Sequence, residues 1–481
     1  MVLEENRGAR GGVGMMDTKL LLQKIAALRT RLDEDAARAA TTQSGESALE
    51  KKVQQGATHN RLIESALRIA AVPEATPTAG PARLSGRGAR LLRKGREALQ
   101  ALRAIADDTH FGSDEDDMLQ CLHRNAVAMI EIILRTIQSF PPSMSAQLRL
   151  CDGLEVVLTD AEARIAHLEA GLSERRRAAD DIDGLADYLR ALAATQSVGM
   201  APLQQMAERI LGEARANAPL RFLSAAPTDP ARFAAAHGLT VAQVVARVIR
   251  DDAEWQPQAP LAVMAALVHD VGMVRVPADL LLTDGPLDSE ERRLVEKHTI
   301  VAESILEKLW PGGGWPVEAA CTHHERNDGT GYPLGHTGIR LSPFAKLLAV
   351  CDVYAALCVS RPHRDAFDTR TALTETLLLA ERDCLDKACA ERLLRLSFYP
   401  VGSAVELSDG SLGVVAAAHT SERGLTQPDR PVVFVILDAE GRRQSSPAVL
   451  DLLDHRDRSI IRGLSPSERQ AKLGPHYPAM L

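Results

Sequence analysis

The sequence predicts a mainly α-helical chain that closes on a small β-rich subdomain. Three observations carry this. Aromatic residues make up only 3% of the 481 residues, while Ala, Leu and Arg are abundant, a composition that favours helix. From about residue 228, Phe233, His237, Val241, Val244 and Val248 mark one face of a helix. After Tyr399-Pro400 the texture changes: Val405–Ser408 and Ser411–Val414 flank Asp409-Gly410, a good two-residue hairpin turn.

Bulk properties narrow the function classes. Hydrophobic content is 45%, charged content 25% and net charge −8, which argues against a surface given over to DNA or other nucleic acid. The seven cysteines are scattered without a CxxC pair, so neither a disulfide framework nor a zinc ribbon is expected, and a reducing cytoplasm is the simple expectation. The N-terminus lacks an apolar signal core, and no segment approaches 18 uninterrupted apolar residues, so neither secretion nor membrane insertion is expected.

In chain order, residues 1–88 read as a flexible or weakly helical region ending in a Pro/Gly-rich linker over 73–88. Residues 89–220 read as a helical connector, sensor or dimerisation region, with helices over 89–139 and 143–217 broken at Pro141-Pro142. Its basic run (Arg83, Arg87, Arg90, Arg93, Lys94, Arg96 and Arg103) lacks interleaved aromatics and reads as a solvated face. Leu154, Leu158, Ala161, Ile165, Leu168 and Leu172 form a short heptad seam, suited either to a homodimeric coiled coil or to an intramolecular hairpin. Residues 221–398 form the next domain. Within it Ala265–Val268 leads into His269-Asp270, and Asp288 or Ser289 can cap a helix that carries His298. A helix ending in His323-His324, a Gly-Thr-Gly-Tyr-Pro loop, and an apolar helix with Asp352 follow. Residues 399–464 make the β-rich extension, with Val432–Leu437 a buried strand, and 465–481 a polar tail.

A lone histidine on an apolar helix usually belongs to the core. The set is what points elsewhere: His237, His269, Asp270, His298, His323, His324 and Asp352 are rich in imidazole, with one or two carboxylates, which suits iron, manganese or zinc. Adjacent helical residues point about 100° apart, so His323 and His324 can serve neighbouring metals while Asp270 bridges them. Two metals about 3.5–4 Å apart would share a hydroxide nucleophile for attack at phosphorus. No P-loop or kinase-type motif is present.

The stretch His323-His324-Glu325-Arg326-Asn327-Asp328-Gly329-Thr330-Gly331-Tyr332-Pro333 resembles the signature of HD-GYP domains along its whole length, and the similarity extends over roughly 228–398. The resemblance implies an all-helical phosphodiesterase that hydrolyses cyclic di-GMP to pGpG or GMP, with His269 and Asp270 at the catalytic centre and two divalent ions, iron or manganese. It also implies substrate contacts from Gly331, Tyr332 and Pro333, with Tyr332 bordering a guanine pocket. Arg361 and Arg364, in the turn Arg361-Pro362-His363-Arg364, would hold phosphates. The loop around Tyr332 is a candidate contact for signalling partners.

Three positions depart from the family pattern. Met273 stands where a lysine is usual, Ala355 where aspartate is frequent, and Phe233 where three-metal members place a glutamate; Arg275 is a doubtful substitute for the missing lysine charge. Two metals and a slow enzyme are expected. The alternatives are a non-hydrolytic nucleotide receptor or scaffold, and a hydrolase of another cyclic dinucleotide or phosphate ester.

Overall fold

The computed structural model describes residues 84–473 except 112–117, 142, 195–197, 284, 363, 397, 401, 422–423, 426 and 428. The expectations for residues 1–83 and for the last eight residues therefore lie outside the described residues. Two compact units emerge, one of residues 181–400 with 417–431, the other of 84–180 with 401–416 and 432–473.

In the second unit, helices α1 (Gly86–Ala106), α2 (Met118–Gln138) and the first part of α3 (Met144–Ala193) share one apolar core. Ser85 starts α1 by accepting a hydrogen bond from the Gly88 amide. The helix expected over 89–139 is thus two helices, and 143–217 is also two, α3 and α4 (Ala201–Arg215), the latter started by Pro202. The heptad seam is spent inside the chain. Leu154, Leu158, Ala161, Ile165, Leu168 and Leu172 are all buried, together with Leu91, Leu102, Leu119 and Ile130. The hairpin alternative therefore holds, and the basis for a seam-mediated dimer is gone. Three residues of the basic run are also paired: Arg87 binds Asp152 and Glu155, Lys94 binds Glu162 and Arg93 binds Glu97.

A five-stranded antiparallel sheet forms from β1 (Ala404–Leu407), β2 (Leu412–Ala417), β5 (Val432–Leu437), β6 (Arg443–Asp451) and β7 (Ile460–Gly463), in the order β6-β5-β2-β1-β7. β3 (Thr420–Ser421) and β4 (Gly424–Leu425) pair separately. The hairpin register is as the turn requires, Ala404 opposite Val414 with Gly410 at φ +84°. Residues 466–473 correct the expectation of a polar tail. They form a helix that ends on Leu473, fully buried among Ala404, Val414 and Ile436. Ser465 and Glu468 cap it reciprocally.

The first unit is helical and holds the predicted site. Helix α5 (Pro230–Ile249), capped by Asp229, packs on α6 (Ala259–Val268); α7 (Ser289–Glu296), α8 (His298–Leu306), α9 (Trp315–Thr322), α10 (Pro343–Leu357), α11 (Thr369–Glu381) and α12 (Lys387–Arg392) follow. Asp288 and Glu291 form the capping box of α7. Gly238 lets α5 and α6 approach closely, since a Cβ there would meet the Leu267 carbonyl oxygen at 2.5 Å. The stretch Gln256–Arg275 is long and apolar enough to cross a membrane, but 67% of its most apolar window is buried inside the molecule as core helix.

Candidate metal centre

All seven predicted ligands come from separate backbone positions of this unit and converge. His237 lies within α5 and Asp352 within α10. His269 ends α6, Asp270 starts the 3-10 turn Val271–Arg275, and His298 opens α8. His323 and His324 follow the last turn of α9. So neither the His-Asp pair nor the double histidine lies mid-helix. Each sits where a helix ends, which frees the chain to turn both side chains inward.

Asp270 is shared between two halves. One carboxylate oxygen lies 3.7 Å from His269 Nε2 and 3.9 Å from His237 Nε2; the other lies 3.3 Å from His298 Nε2 and 3.4 Å from His323 Nε2. Asp352 sits across from it, 2.6 Å from His237 Nε2, 3.9 Å from His269 Nε2 and 4.0 Å from His324 Nδ1. Potential ligand atoms thus gather as Asp270, His298, His323 and His324 on one side, and His237, His269 and Asp270 on the other.

Backbone carbonyls preset three of the rings. His269, His298 and His323 each donate Nδ1–H to the carbonyl three residues upstream, Ala266, Val295 and Ala320, at 2.7–2.8 Å. A neutral imidazole so held turns its Nε2 lone pair into the site. Those three Nε2 atoms and Asp270 Oδ1 are buried with no hydrogen-bond partner. Buried polar atoms left unpaired are costly, and four lone-pair atoms facing one another call for cations. The donor set therefore fits metal ions, and these seven residues are the ones that would hold them.

Charge tells the same story. Burial pushes both Asp270 and Asp352 toward protonation, yet the surrounding histidines hold them well below the usual carboxylate range. Burial also opposes a charge on His269, but Asp270 and Asp352 carry its pKa up to about 9. His323 and His324 are pushed down by burial and by neighbouring imidazoles.

Several motif residues owe their identity to this packing. A Cβ on Gly272 would sit 1.9 Å from the His298 carbonyl oxygen, so only glycine lets the His-Asp turn reach α8. Gly331 is pressed against the backbone of the double-histidine turn, where a Cβ would meet Arg326 N and His324 O at 2.4 Å. Its place is explained by this close approach. The peptide from Tyr332 to Pro333 is cis. The Tyr332 ring stacks on His324 at 4.7 Å between centroids and meets His298 edge-on at 6.3 Å, so it borders the ligand cluster itself.

Arg364 corrects its expectation. Its two terminal nitrogens donate to the carbonyls of Ala356, Leu357, Val359 and Asp365, and the guanidinium lies over the Phe367 ring. It caps the end of α10 and has no terminal N–H to spare for a phosphate. Arg361 keeps its side chain half-exposed, while its backbone pairs with Arg364; His363 between them lies outside the described residues. Arg275 reaches the Ala193 carbonyl at the end of α3, away from the ligands, so it replaces no lysine charge. Met273, Ala355 and Phe233 belong to or pack on the apolar core. Sequence reasoning overlooked Glu325 and Arg326. Both are buried, and Arg326 donates to the His323 and Glu325 carbonyls. Charged residues directly after a double histidine were the available signal.

A family described as HD domain matches residues 218–388, over the helices that carry the seven candidate ligands. Residues 218–388 are thus an HD domain by their match. A family described as KOW domain associated with HD domain matches 404–472, the β-rich extension together with the terminal helix. Among curated relatives, the cyclic di-GMP phosphodiesterase PA4108 of Pseudomonas aeruginosa is 31% identical over 48% of this chain and 55% of its own length. The cyclic di-GMP phosphodiesterase response regulator RpfG of Xanthomonas campestris is 35% identical over 27% of this chain and 35% of its own length. The 3′3′-cGAMP-specific phosphodiesterase 3 of Vibrio cholerae is 39% identical over 23% and 24%. The chain thus spans at most about half the length of these relatives.

Proposed function

We propose that the HD domain is a metal-dependent phosphodiesterase that opens cyclic di-GMP to pGpG or GMP. The observation that carries this reading is the shared Asp270 carboxylate, with one oxygen toward His237 and His269 and the other toward His298 and His323. Two divalent ions, iron or manganese by the imidazole-rich donor set, would supply an activated water and neutralise charge on the phosphoryl group. The protein's own contribution is positional. His269, His298 and His323 are oriented by carbonyls, Asp270 and Asp352 stay ionised, and Tyr332 walls one side of the cluster. Arg361 remains available for a phosphate. A cyclic dinucleotide signal would place this activity in the cytoplasm.

A second reading, hydrolysis of 3′3′-cGAMP, draws on the relative of that specificity and on Ala355 and Met273, which offer the substrate no polar group. Anaerobic purification, metal analysis and product chromatography with both dinucleotides test these readings. Stoichiometric metal with pGpG or GMP released from cyclic di-GMP is the expected result. Turnover of 3′3′-cGAMP alone would favour the second reading. Nucleotide binding without turnover by the metal-loaded protein would make it a receptor.

A further inference from the structure

We infer that Glu325 is a positioning residue: it fastens the loop carrying Tyr332 onto the metal-binding turn and thereby sets the site's affinity for its phosphodiester substrate. This rests on the phosphodiesterase reading above. Glu325 follows the double histidine directly and is only 1% exposed. One carboxylate oxygen accepts from the Leu334 amide at 2.7 Å, the other from the His336 amide at 2.9 Å. Among the described residues no Lys or Arg pairs with this carboxylate, so the two loop amides are what its burial is built around. An ionised carboxylate is costly to bury, and charge-assisted hydrogen bonds of this kind are the strong ones.

The loop has little apolar anchorage of its own. Leu334 is 66% exposed and Ile339 98%. Polar tethers must hold it instead. At its ends the Tyr332 amide donates to the His324 carbonyl at 3.3 Å, and the Gly338 amide donates to the Asn327 carbonyl at 3.0 Å. Glu325 holds the middle. Because Tyr332 stacks on His324 two positions before the first Glu325 contact, one short stretch both supplies metal ligands and fixes the wall beside them. Freeing the loop would leave the ligands in place but oblige the substrate to order Tyr332 on binding, a cost that appears in affinity.

Glu325→Gln keeps the side chain's shape but turns an NH2 group toward one of the two amides. Leu334→Pro removes an amide from the loop side at a solvent-exposed position. Each variant, loaded with manganese, should keep wild-type metal content and a kcat on cyclic di-GMP near wild type, while KM rises roughly tenfold for the loss of one charge-assisted hydrogen bond. The double variant should be little worse than either single one, because both break the same contact. Hydrogen exchange over residues 331–338 should quicken in both. Loss of metal together with activity in Glu325→Gln, an unchanged KM in Leu334→Pro, or unaltered exchange would overturn the inference. If wild type hydrolyses neither dinucleotide, the phosphodiesterase reading fails by itself; exchange, and the dissociation constant for cyclic di-GMP in place of KM, then decide the role of Glu325.

Discussion

Asp270 Oδ1 faces His298 Nε2 across 3.3 Å, and neither atom has a hydrogen-bond partner. The His298 ring already donates its other nitrogen to Val295, so the neutral ring brings a lone pair to a lone pair. That opposition is unfavourable until a cation lies between them.

Asp270→Ala should therefore empty both halves of the site at once, whereas His237→Ala should weaken chiefly the half with His269. Bound metal, measured by plasma mass spectrometry, should fall more than tenfold in Asp270→Ala, since even second-shell losses cost about 10–100-fold in affinity. Retention of one full equivalent would show that Asp270 does not bridge. Chelation of wild type should abolish turnover, and manganese or anaerobic ferrous iron should restore it.

Gly272→Ala tests the close approach of the His-Asp turn to α8. With an added Cβ 1.9 Å from the His298 carbonyl oxygen, backbone must move, and a loss of about 1–3 kcal/mol or more is expected from overpacking. Metal affinity should drop with it, because the displaced residue is a ligand. A melting temperature and metal content equal to wild type would contradict the geometry.

Arg364 and Arg361 should separate cleanly. Arg364→Ala removes the cap from α10 and should cost about 1–3 kcal/mol through unpaired carbonyls, with KM unchanged in whatever protein remains folded. Arg361→Ala should leave the melting temperature alone and raise KM. Urea denaturation alongside steady-state kinetics distinguishes them, and a KM effect confined to Arg364→Ala would reverse the assignment.

Met273→Lys should accelerate hydrolysis of cyclic di-GMP with metal content unchanged. Met273 is 6% exposed within the apolar core, so the new ammonium must reach the site or remain unsolvated. Burying it imperfectly should cost about 1–3 kcal/mol, visible as a lower melting temperature. Slower turnover combined with a lower melting temperature would show that the side chain at 273 does not reach the substrate.

The convergence of the seven candidate ligands was legible because metal chemistry restricts residue type and leaves such positions little freedom. The hairpin at Asp409-Gly410 was legible for a similar reason, its φ +84° glycine. What stayed hidden depended on partners distant in sequence. The Leu154–Leu172 seam has the same pattern whether it meets another chain or Leu91 and Leu119 of its own. Arg364 reads as a phosphate-binding cation until the chain is seen to double back over the end of α10. The terminal helix is different: Ser465-Pro466-Ser467-Glu468 spells a capping box, and that signal was overlooked. The breaks near 107 and 194 follow Asp107-Asp108 and precede Gly199, Pro202 and the start of α4, also readable in principle.

The carbonyl-held histidines have a practical corollary. Because Ala266, Val295 and Ala320 orient the rings through bonds that need no ion, emptying the pocket should not unravel the helices around it. On the phosphodiesterase reading, a metal-free preparation should be dormant but rechargeable, with its helical content intact and its chemistry switched off. A preparation stripped by air or chelator would pass a circular dichroism check yet register as inert. Its activity would follow its handling history, and readdition of metal would restore it without refolding.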